Sequence, residues 1–296
     1  EIMPSLVGSE MCIRDRKINF ENKSREQNAE IVIEKKRRAN LNGVKKKSPS
    51  VLGEELKAVI FSPVHLSMVK DGPAERRKFI DNALCQLKFN YRNVLKEYNR
   101  ALLQRNMLLK DIAKNNSLTD MLYIWDRNLA ASGAKIIYQR NRYIETLLPY
   151  AEDVFSGLSG GKEKIDLILN GAFDYKNLTV NEIENQLIIA FEKNRGSDFM
   201  NRITTVGPHR DDMDILINGK SARIYGSQGQ QRSCVLALKL AEASLLKEMT
   251  QDEPLALLDD VMSELDISRQ DYILNHIKDW QVFITCCCLL YTSPSP

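Results

Sequence analysis

An α/β protein with an inserted antiparallel helical hairpin is the fold class predicted by this sequence, and three stretches predict it. Leu255-Ala256-Leu257-Leu258 is a continuous apolar run closed by Asp259 and Asp260. Such a run reads as a strand buried on both faces of a parallel sheet. Upstream, Gly226-Ser227-Gln228-Gly229-Gln230-Gln231 leads into a helix-period run from Cys234 to Met249. This is a Gly- and Ser-bearing turn capping a helix. After Ala74, apolar or aromatic residues recur at Ile80, Leu84, Leu87, Tyr91, Val94, Tyr98, Leu102 and Leu109. Helical spacing sustained this long exceeds an ordinary globular helix and indicates a coiled-coil-like arm.

In chain order, Ala29 to Ile33 alternates as a strand, and Asn42-Gly43 is a hairpin turn before Val44 to Lys47. The basic residues Lys35, Lys36, Arg37, Arg38, Lys45, Lys46 and Lys47 therefore fall on two neighbouring strands. They read either as a sheet edge kept soluble by charge or as a DNA-phosphate contact. Lys57 to Phe61 is a short buried strand ending at Ser62-Pro63, with His65 a structural residue beside it. The arm turns at Asn115-Asn116-Ser117 and returns through Trp125, Leu129, Ile136, Tyr143 and Leu147, with Pro149 expected to end the helix. Its aromatic stripe is core. Arg76, Arg77, Lys78, Arg100, Arg105, Arg140 and Arg142 are placed off the seam, as a solvated face or as contacts to a DNA backbone.

Leu158-Ser159-Gly160-Gly161-Lys162-Glu163 imitates a phosphate loop but is one residue short, and Glu163 stands where a hydroxyl is needed, so it reads as a loop before a strand from Lys164 to Leu169. Thr179-Val180-Asn181-Glu182 is a capping box opening a helix to about Lys193. Asp214 to Ile217, the Asn218-Gly219 turn and Ser221 to Tyr225 form a hairpin that delivers the chain to Gly226. After Asp266 a helix reaches about Lys278, and Gln281 to Thr285 is a final buried strand.

The 296 residues, 43% hydrophobic and 27% charged, suit a globular protein of about two domains. No apolar run approaches the ~18–20 residues that span a bilayer, so a membrane protein is not expected. A net charge of +3 is too small to argue for nucleic acid by itself. The six cysteines lack zinc or disulfide spacing, which points to the reducing cytoplasm, with Cys85 and Cys234 as small core residues. The two ends have a common origin: a back-translation of Leu6–Asp15, reverse-complemented in a shifted frame, encodes Cys288–Pro296 in full. Residues 1–16 and 288–296 are accordingly expected to be adapter-derived tails outside the fold.

The chemistry concentrates between Tyr225 and Asp266. The first turn of a capped helix leaves backbone N–H groups that suit a phosphate. A carboxylate at the C-terminal end of a parallel strand can hold Mg²⁺ through water, and a second can orient or deprotonate the attacking water. A turn of this kind, then an apolar strand with two Asp, then Ser263-Glu264-Leu265-Asp266, resembles the signature, Walker B strand and D-loop of ABC-type P-loop ATPases of the structural-maintenance and recombination group. Two further stretches, Met68-Val69-Lys70-Asp71-Gly72-Pro73-Ala74-Glu75-Arg76-Arg77-Lys78-Phe79-Ile80-Asp81 and Gly207-Pro208-His209-Arg210-Asp211-Asp212, are similar to the RecF family within it. Val64 and Asp71 depart from that family's pattern.

The resemblance implies an incomplete ATPase head (17–73 and 203–287) interrupted by a helical arm (74–202). It implies ATP and Mg²⁺ as cofactors and an ATP-dependent homodimer. Its expected partners are double-stranded DNA, single/double-strand junctions and recombination mediator proteins, in a recombinase-loading role. Ser227, Gln228, Gly229 and Gln230 would meet the partner's γ-phosphate; Asp259 would hold Mg²⁺, Asp260 would act on the water, and Ser263 and Asp266 would cross the dimer seam. No GxxxxGK[ST] run occurs, so the phosphate cradle is expected upstream of Lys17, and this stretch alone is expected to be inactive as an ATPase. His209 reads either as a sensor of nucleotide or DNA or as part of a structural turn. Two other functions remain open: a chromosome-tethering or nuclease-associated head, and a non-catalytic DNA clamp.

Overall fold

The computed structural model describes residues 14–22, 25–33, 37–46, 48–62, 65 and 68–285. Lys35, Lys36 and Lys47 lie outside these residues, as do Pro63, Val64 and the end from 286 onward. Two compact units divide between Lys57 and Ala58.

The first unit is a four-stranded antiparallel sheet in chain order: β1 (Arg14–Asn22), β2 (Arg25–Ile33), β3 (Arg37–Leu41) and β4 (Val44–Lys46). Strand β1 begins inside the stretch assigned to a tail, since antiparallel pairing uses main-chain groups and accepts most side chains. Asn42 and Gly43 take φ of 52° and 75°, the left-handed pair that a two-residue hairpin demands, and set Leu41 opposite Val44. Asn28 N–H donates to the Asn42 side chain, which fixes the turn. Ala29, Ala39 and Leu41 are buried together with Leu52 of the short helix α1 (Leu52–Glu55). Side chains alternate along a strand. The pairs Ala39↔Lys46 and Asn40↔Lys45 therefore put Arg37 and Lys46 on the Ala39 face, and Arg38 and Lys45 on the opposite one. The described members of the basic cluster are thus divided between two faces.

In the second unit β5 (Ala58–Phe61) is followed by α2 (Pro73–Leu87) and α3 (Tyr91–Ile112). The single long helix expected from Ala74 is broken at Lys88, whose backbone is extended (φ −121°, ψ 108°). The break lets the Tyr91 hydroxyl fold back to donate to Asp81 at 2.6 Å. The return helix α4 (Leu122–Ser159) runs straight past Pro149, against expectation. An interior proline costs about 3 kcal/mol. Stopping there would leave Val154 and Phe155, 2% and 0% exposed, without their helix, and burying each such side chain is worth about 1.5–3 kcal/mol. The helix ends instead at Gly160 (φ 64°), with Gly161 N–H donating to Ser156 O; of the expected Leu158–Glu163 loop, Leu158 and Ser159 are the last helical residues and Gly160–Glu163 is the loop.

Beyond it lie β6 (Ile165–Asn170), then α5 (Val180–Lys193) with both halves of its Thr179–Glu182 capping box, and α6 (Arg195–Asn201). Strands β7 (Asp212–Ile217) and β8 (Lys220–Ser221) complete an antiparallel sheet in the order β6-β7-β8. The second strand of this hairpin is shorter than expected. It pairs only through Lys220 and Ser221 before a helical turn, α7 (Ala222–Tyr225), takes over around buried Ala222. Helix α8 (Gln228–Thr250) leads to β9 (Leu255–Asp259), α9 (Ile267–His276) and β10 (Val282–Thr285). β9 is the middle strand of a parallel sheet, β10-β9-β5. Strand β10 is not buried, because only β9 pairs with it among the described residues; Phe283 is 57% exposed.

The aromatic stripe is core as expected: Tyr91, Tyr98 and Tyr143 are buried. Cys234 is buried and Cys85 half-buried, both on helices. Three arginines placed off the seam are buried beside them. Arg105 donates to Asp126 and Asp198 at 2.7 Å each and to Thr204 at 2.9 Å, tying α3 to α4 and α6. Arg140 forks onto both oxygens of Asp81 at 2.9 Å and reaches Pro208 O. Arg76 forks onto Asp212 at 2.7 and 2.8 Å, and its remaining nitrogen gathers the carbonyls of Met68, Val69 and Asp71. None of the three faces solvent as a DNA contact would.

Two of these clamps, Arg76 and Arg140, converge on the Gly207–Asp212 segment. Arg77 donates to Asp211 O at 2.6 Å, and His209 sits between the Tyr98 hydroxyl (2.6 Å) and Thr204 O (3.0 Å). Burial holds the His209 imidazole down to about 4, so it is neutral at physiological pH and the structural reading applies. Asp211 accepts from the Tyr175 hydroxyl, and its second oxygen has no partner. Burial pushes this carboxyl up to about 7.

Replacing Arg105 by Leu strands two buried carboxylates and is expected to cost about 3–5 kcal/mol in urea denaturation. Exposed Arg142→Ala should stay within about 0.5 kcal/mol, and equal losses for the two would deny the buried cluster its role. Because the folded pKa of Asp211 lies above the unfolded value of about 3.9, its contribution to stability is complete below that pH and is lost as pH rises towards 7. The melting midpoint of Asp211→Asn relative to the parent should therefore climb over this window, whereas a constant difference would contradict the burial effect.

Candidate functional site

Two stretches carry the candidate chemistry, the start of α8 and the end of β9. Ser227 is the N-cap of α8 in extended backbone (φ −62°, ψ 162°). Its hydroxyl oxygen accepts the Gln230 N–H at 3.2 Å, and the Gln230 side-chain oxygen accepts the Ser227 N–H at 2.7 Å. Both halves of a capping box are closed. The first intrahelical bond is Gln231 N–H to Ser227 O, so the N–H groups of Gln228 and Gly229 precede it and have no helical acceptor. The Ser227 hydroxyl keeps its own hydrogen to donate, and Ser227 and Gln228 are exposed. Gln231, 5% exposed, donates to the carbonyls of Ala222 and Gly226 and fixes the approach to the cap.

At the end of β9 the two aspartates diverge. Asp259, in register with Thr285 of β10, accepts that residue's hydroxyl at 2.7 Å. Asp260 turns into the left-handed region (φ 50°), which Asp tolerates better than most residues. Its N–H donates to Thr285 O, and its carboxylate accepts the Ser263 hydroxyl at 3.1 Å. Asp266 then caps α9, accepting Arg269 N–H at 3.1 Å. The Ser268 hydroxyl and that N–H hold its carboxyl at about 2.

Arg269 joins the two halves. Its guanidinium pairs with Asp266 and donates to Ser233 Oγ on the second turn of α8 at 2.9 Å. A Cβ placed on Gly229 would lie 3.6 Å from it. The first two turns of α8 and the start of α9 are therefore neighbours. Arg269 and Thr285 were missed as site residues. An Asp N-cap followed three positions later by Arg marked the first, and the position of Thr285 at the end of a strand parallel to β9 marked the second.

Among the described residues no group of three or more His, Cys, Asp or Glu converges as a metal site. Exposed Asp259 and half-buried Asp260 suit Mg²⁺ only as it usually binds, through one or two carboxylates plus waters and phosphate oxygens. Of the residues considered for DNA, Arg76 is 3% exposed and Arg77 half-buried on Asp211 O, whereas Arg37, Arg38 and Lys45 are exposed.

No family-wide sequence profile matches the chain. Among curated proteins it is similar to the DNA replication and repair protein RecF of Lachnoclostridium phytofermentans (43% identical over 246 residues, 83% of this chain and 66% of that one). It is likewise similar to those of Acetivibrio thermocellus (40%, covering 85% and 69%) and Ruminiclostridium cellulolyticum (45%, covering 85% and 68%). The chain thus spans about two thirds of the length of these relatives. Among solved structures, the recombination mediator protein RecF with ATP, in the RecFOR pathway, superposes with a TM-score of 0.83 at 38% identity, over 92% of this chain and 72% of that one. A likeness of this extent and identity fixes the fold as an ABC-type ATPase head, and the chain belongs to the RecF family of DNA replication and repair proteins.

Proposed function

We propose that the chain acts in DNA repair as one half of an ATP-switched dimer, presenting its α8 cap to a nucleotide held by a second copy. The observation that supports this reading is the open first turn of α8 capped by Ser227, on a helix that Arg269 ties through Ser233 to Asp266 in the segment after β9. In it, the Ser227 hydroxyl and the N–H groups of Gln228 and Gly229 donate to the terminal phosphate, aided by the helix dipole. Gln230 holds the cap in shape. Asp259 would hold Mg²⁺ through water, and the ion would neutralise charge on the phosphates. Asp260, turned away from Asp259 by its left-handed backbone, orients or deprotonates the attacking water. Ser263 and Asp266 lie on the segment facing the second copy and pass nucleotide state to Ser233 through Arg269.

The terminal phosphate stabilises the closed dimer, and that contribution disappears on hydrolysis, so ATP serves as a dimerisation switch with weak, DNA-dependent turnover. Arg38 and Lys45, exposed on one face of the four-stranded sheet, are the described side chains suited to phosphates of duplex or single/double-strand junction DNA. Recombination mediators and recombinase loading belong to the same reading, drawn from relatives that carry the RecF name. A chromosome tether is disfavoured: the 22 residues of α3 reach only about 33 Å.

In the intact protein, Asp260→Asn is expected to retain ATP binding while turnover falls by at least about a hundredfold, the size usual for loss of a positioned general base; unchanged turnover would remove Asp260 from the mechanism. Ser227→Arg should leave ATP binding by one copy intact and abolish ATP-dependent dimers in analytical ultracentrifugation. Dimers persisting in that variant would sink the assignment of the α8 cap to a second copy's nucleotide.

A further inference from the structure

The loop that imitates a phosphate loop does not bind phosphate in the proposed function, yet it touches the cap that does. The Gln230 side-chain nitrogen donates to Glu163 Oε1 at 2.6 Å, while its oxygen accepts the Ser227 N–H. We propose that Glu163 is a positioning residue for the α8 cap, and that its carboxylate sets which way the Gln230 amide faces. This deepens the proposed function and rests on it.

The argument is one of donors and acceptors. An ionised carboxylate only accepts, so it selects the NH₂ end of the amide. The carbonyl end must then face Ser227 N–H, which is the orientation a capping box needs. Reversed, the amide would set NH₂ against N–H, donor to donor, and open one half of the box. Glu163 is held in place from both sides: two left-handed glycines (φ 64° and 74°) close α4 just before it, and Asn218 N–H and its side chain grip Lys164 just after it. It is half-buried, and its charge helps to push the Cys234 thiol, two turns inside α8, up to about 12, after burial as the main cause. The carboxylate therefore lies against the first turns of α8. It also complements the positive end of that helix before any phosphate arrives.

The test uses the intact protein and two substitutions. Glu163→Gln retains an acceptor oxygen and should behave as the parent. Glu163→Lys offers only donors, and so reverses Gln230. In nucleotide-free protein, hydrogen exchange of the Gly226–Gln231 amides should quicken about fivefold in Glu163→Lys, the scale of a lost cap, with the thermal midpoint falling by no more than about 2–4 °C. ATP-dependent dimerisation should weaken by a similar factor. In a Gln230→Ala background Glu163→Lys should add nothing further. Parental exchange in Glu163→Lys overturns the proposal, and so does Glu163→Gln behaving like Glu163→Lys, which would assign the effect to charge alone. If the parent itself fails to dimerise with ATP while the exchange difference persists, the proposed function falls and the clamp on the cap stands.

Discussion

Three buried arginines, two forked onto a single carboxylate and the third bridging two, are the constraint on which the second unit depends. Arg76 on Asp212 and Arg140 on Asp81 meet at the Gly207–Asp212 segment, where Arg77 and the Tyr98–His209 pair also bind. Arg105 does the same work nearer the hairpin turn, with Asp126 and Asp198. Desolvating a guanidinium is costly, and well-placed charge-assisted hydrogen bonds to carboxylates offset it. Apolar packing could hold α2, α3 and α4 together in several rotational settings. A forked ion pair admits one. The clamps therefore fix where β7 starts, and from β7 the chain reaches Ser227 through only β8 and α7.

The helix that carries the cap is set as firmly. Nearly every residue of α8 from Ser233 to Leu246 is buried, including Lys239, which pairs with Glu242 at 2.9 Å and lies 5.0 Å from the centre of the Phe79 ring. A helix packed on all sides moves as a rigid body or not at all. Any displacement of Ser227 by a ligand would thus be felt at Ser233 and, through Arg269, at Asp266. That continuity gives the proposed switch a physical route without a flexible element.

The elements that were legible each rest on local chemistry: the Ser227 cap, the Thr179–Glu182 box, the Asn42-Gly43 turn and the apolar β9. The arginines were misread for want of a longer count. Tyr91, Tyr98, Arg105 and Ile112 recur every seven residues and are all buried, as are Asp126, Gly133, Arg140, Leu147 and Val154. A charged residue in register with a buried stripe belongs to the core, with a partner of opposite charge, before it belongs to a surface. Pro149 was read by its propensity alone, which the packing of Phe155 and its neighbours overrides. The basic residues were placed on two neighbouring strands, and the two-residue alternation that separates Arg37 from Arg38 adds which face each takes. Arg269 and Glu163 escaped for a different reason: their partners are 36 and 67 residues away, and no local pattern announces such pairs.

The divergence of Asp259 and Asp260 bears on why two adjacent carboxylates can serve two purposes. Successive residues of a strand already point to opposite faces, but both would remain free to rotate at an open strand end. Here the edge strand β10 removes that freedom. Thr285 donates its hydroxyl to Asp259 and accepts the Asp260 N–H, so a single residue of the neighbouring strand holds both positions. The left-handed turn at Asp260 then directs its carboxylate towards Ser263. An exposed strand that contributes little to the core therefore still has a reason to be paired in register: without Thr285 opposite Asp259, the two acids would lose the geometry on which the two roles proposed for them depend.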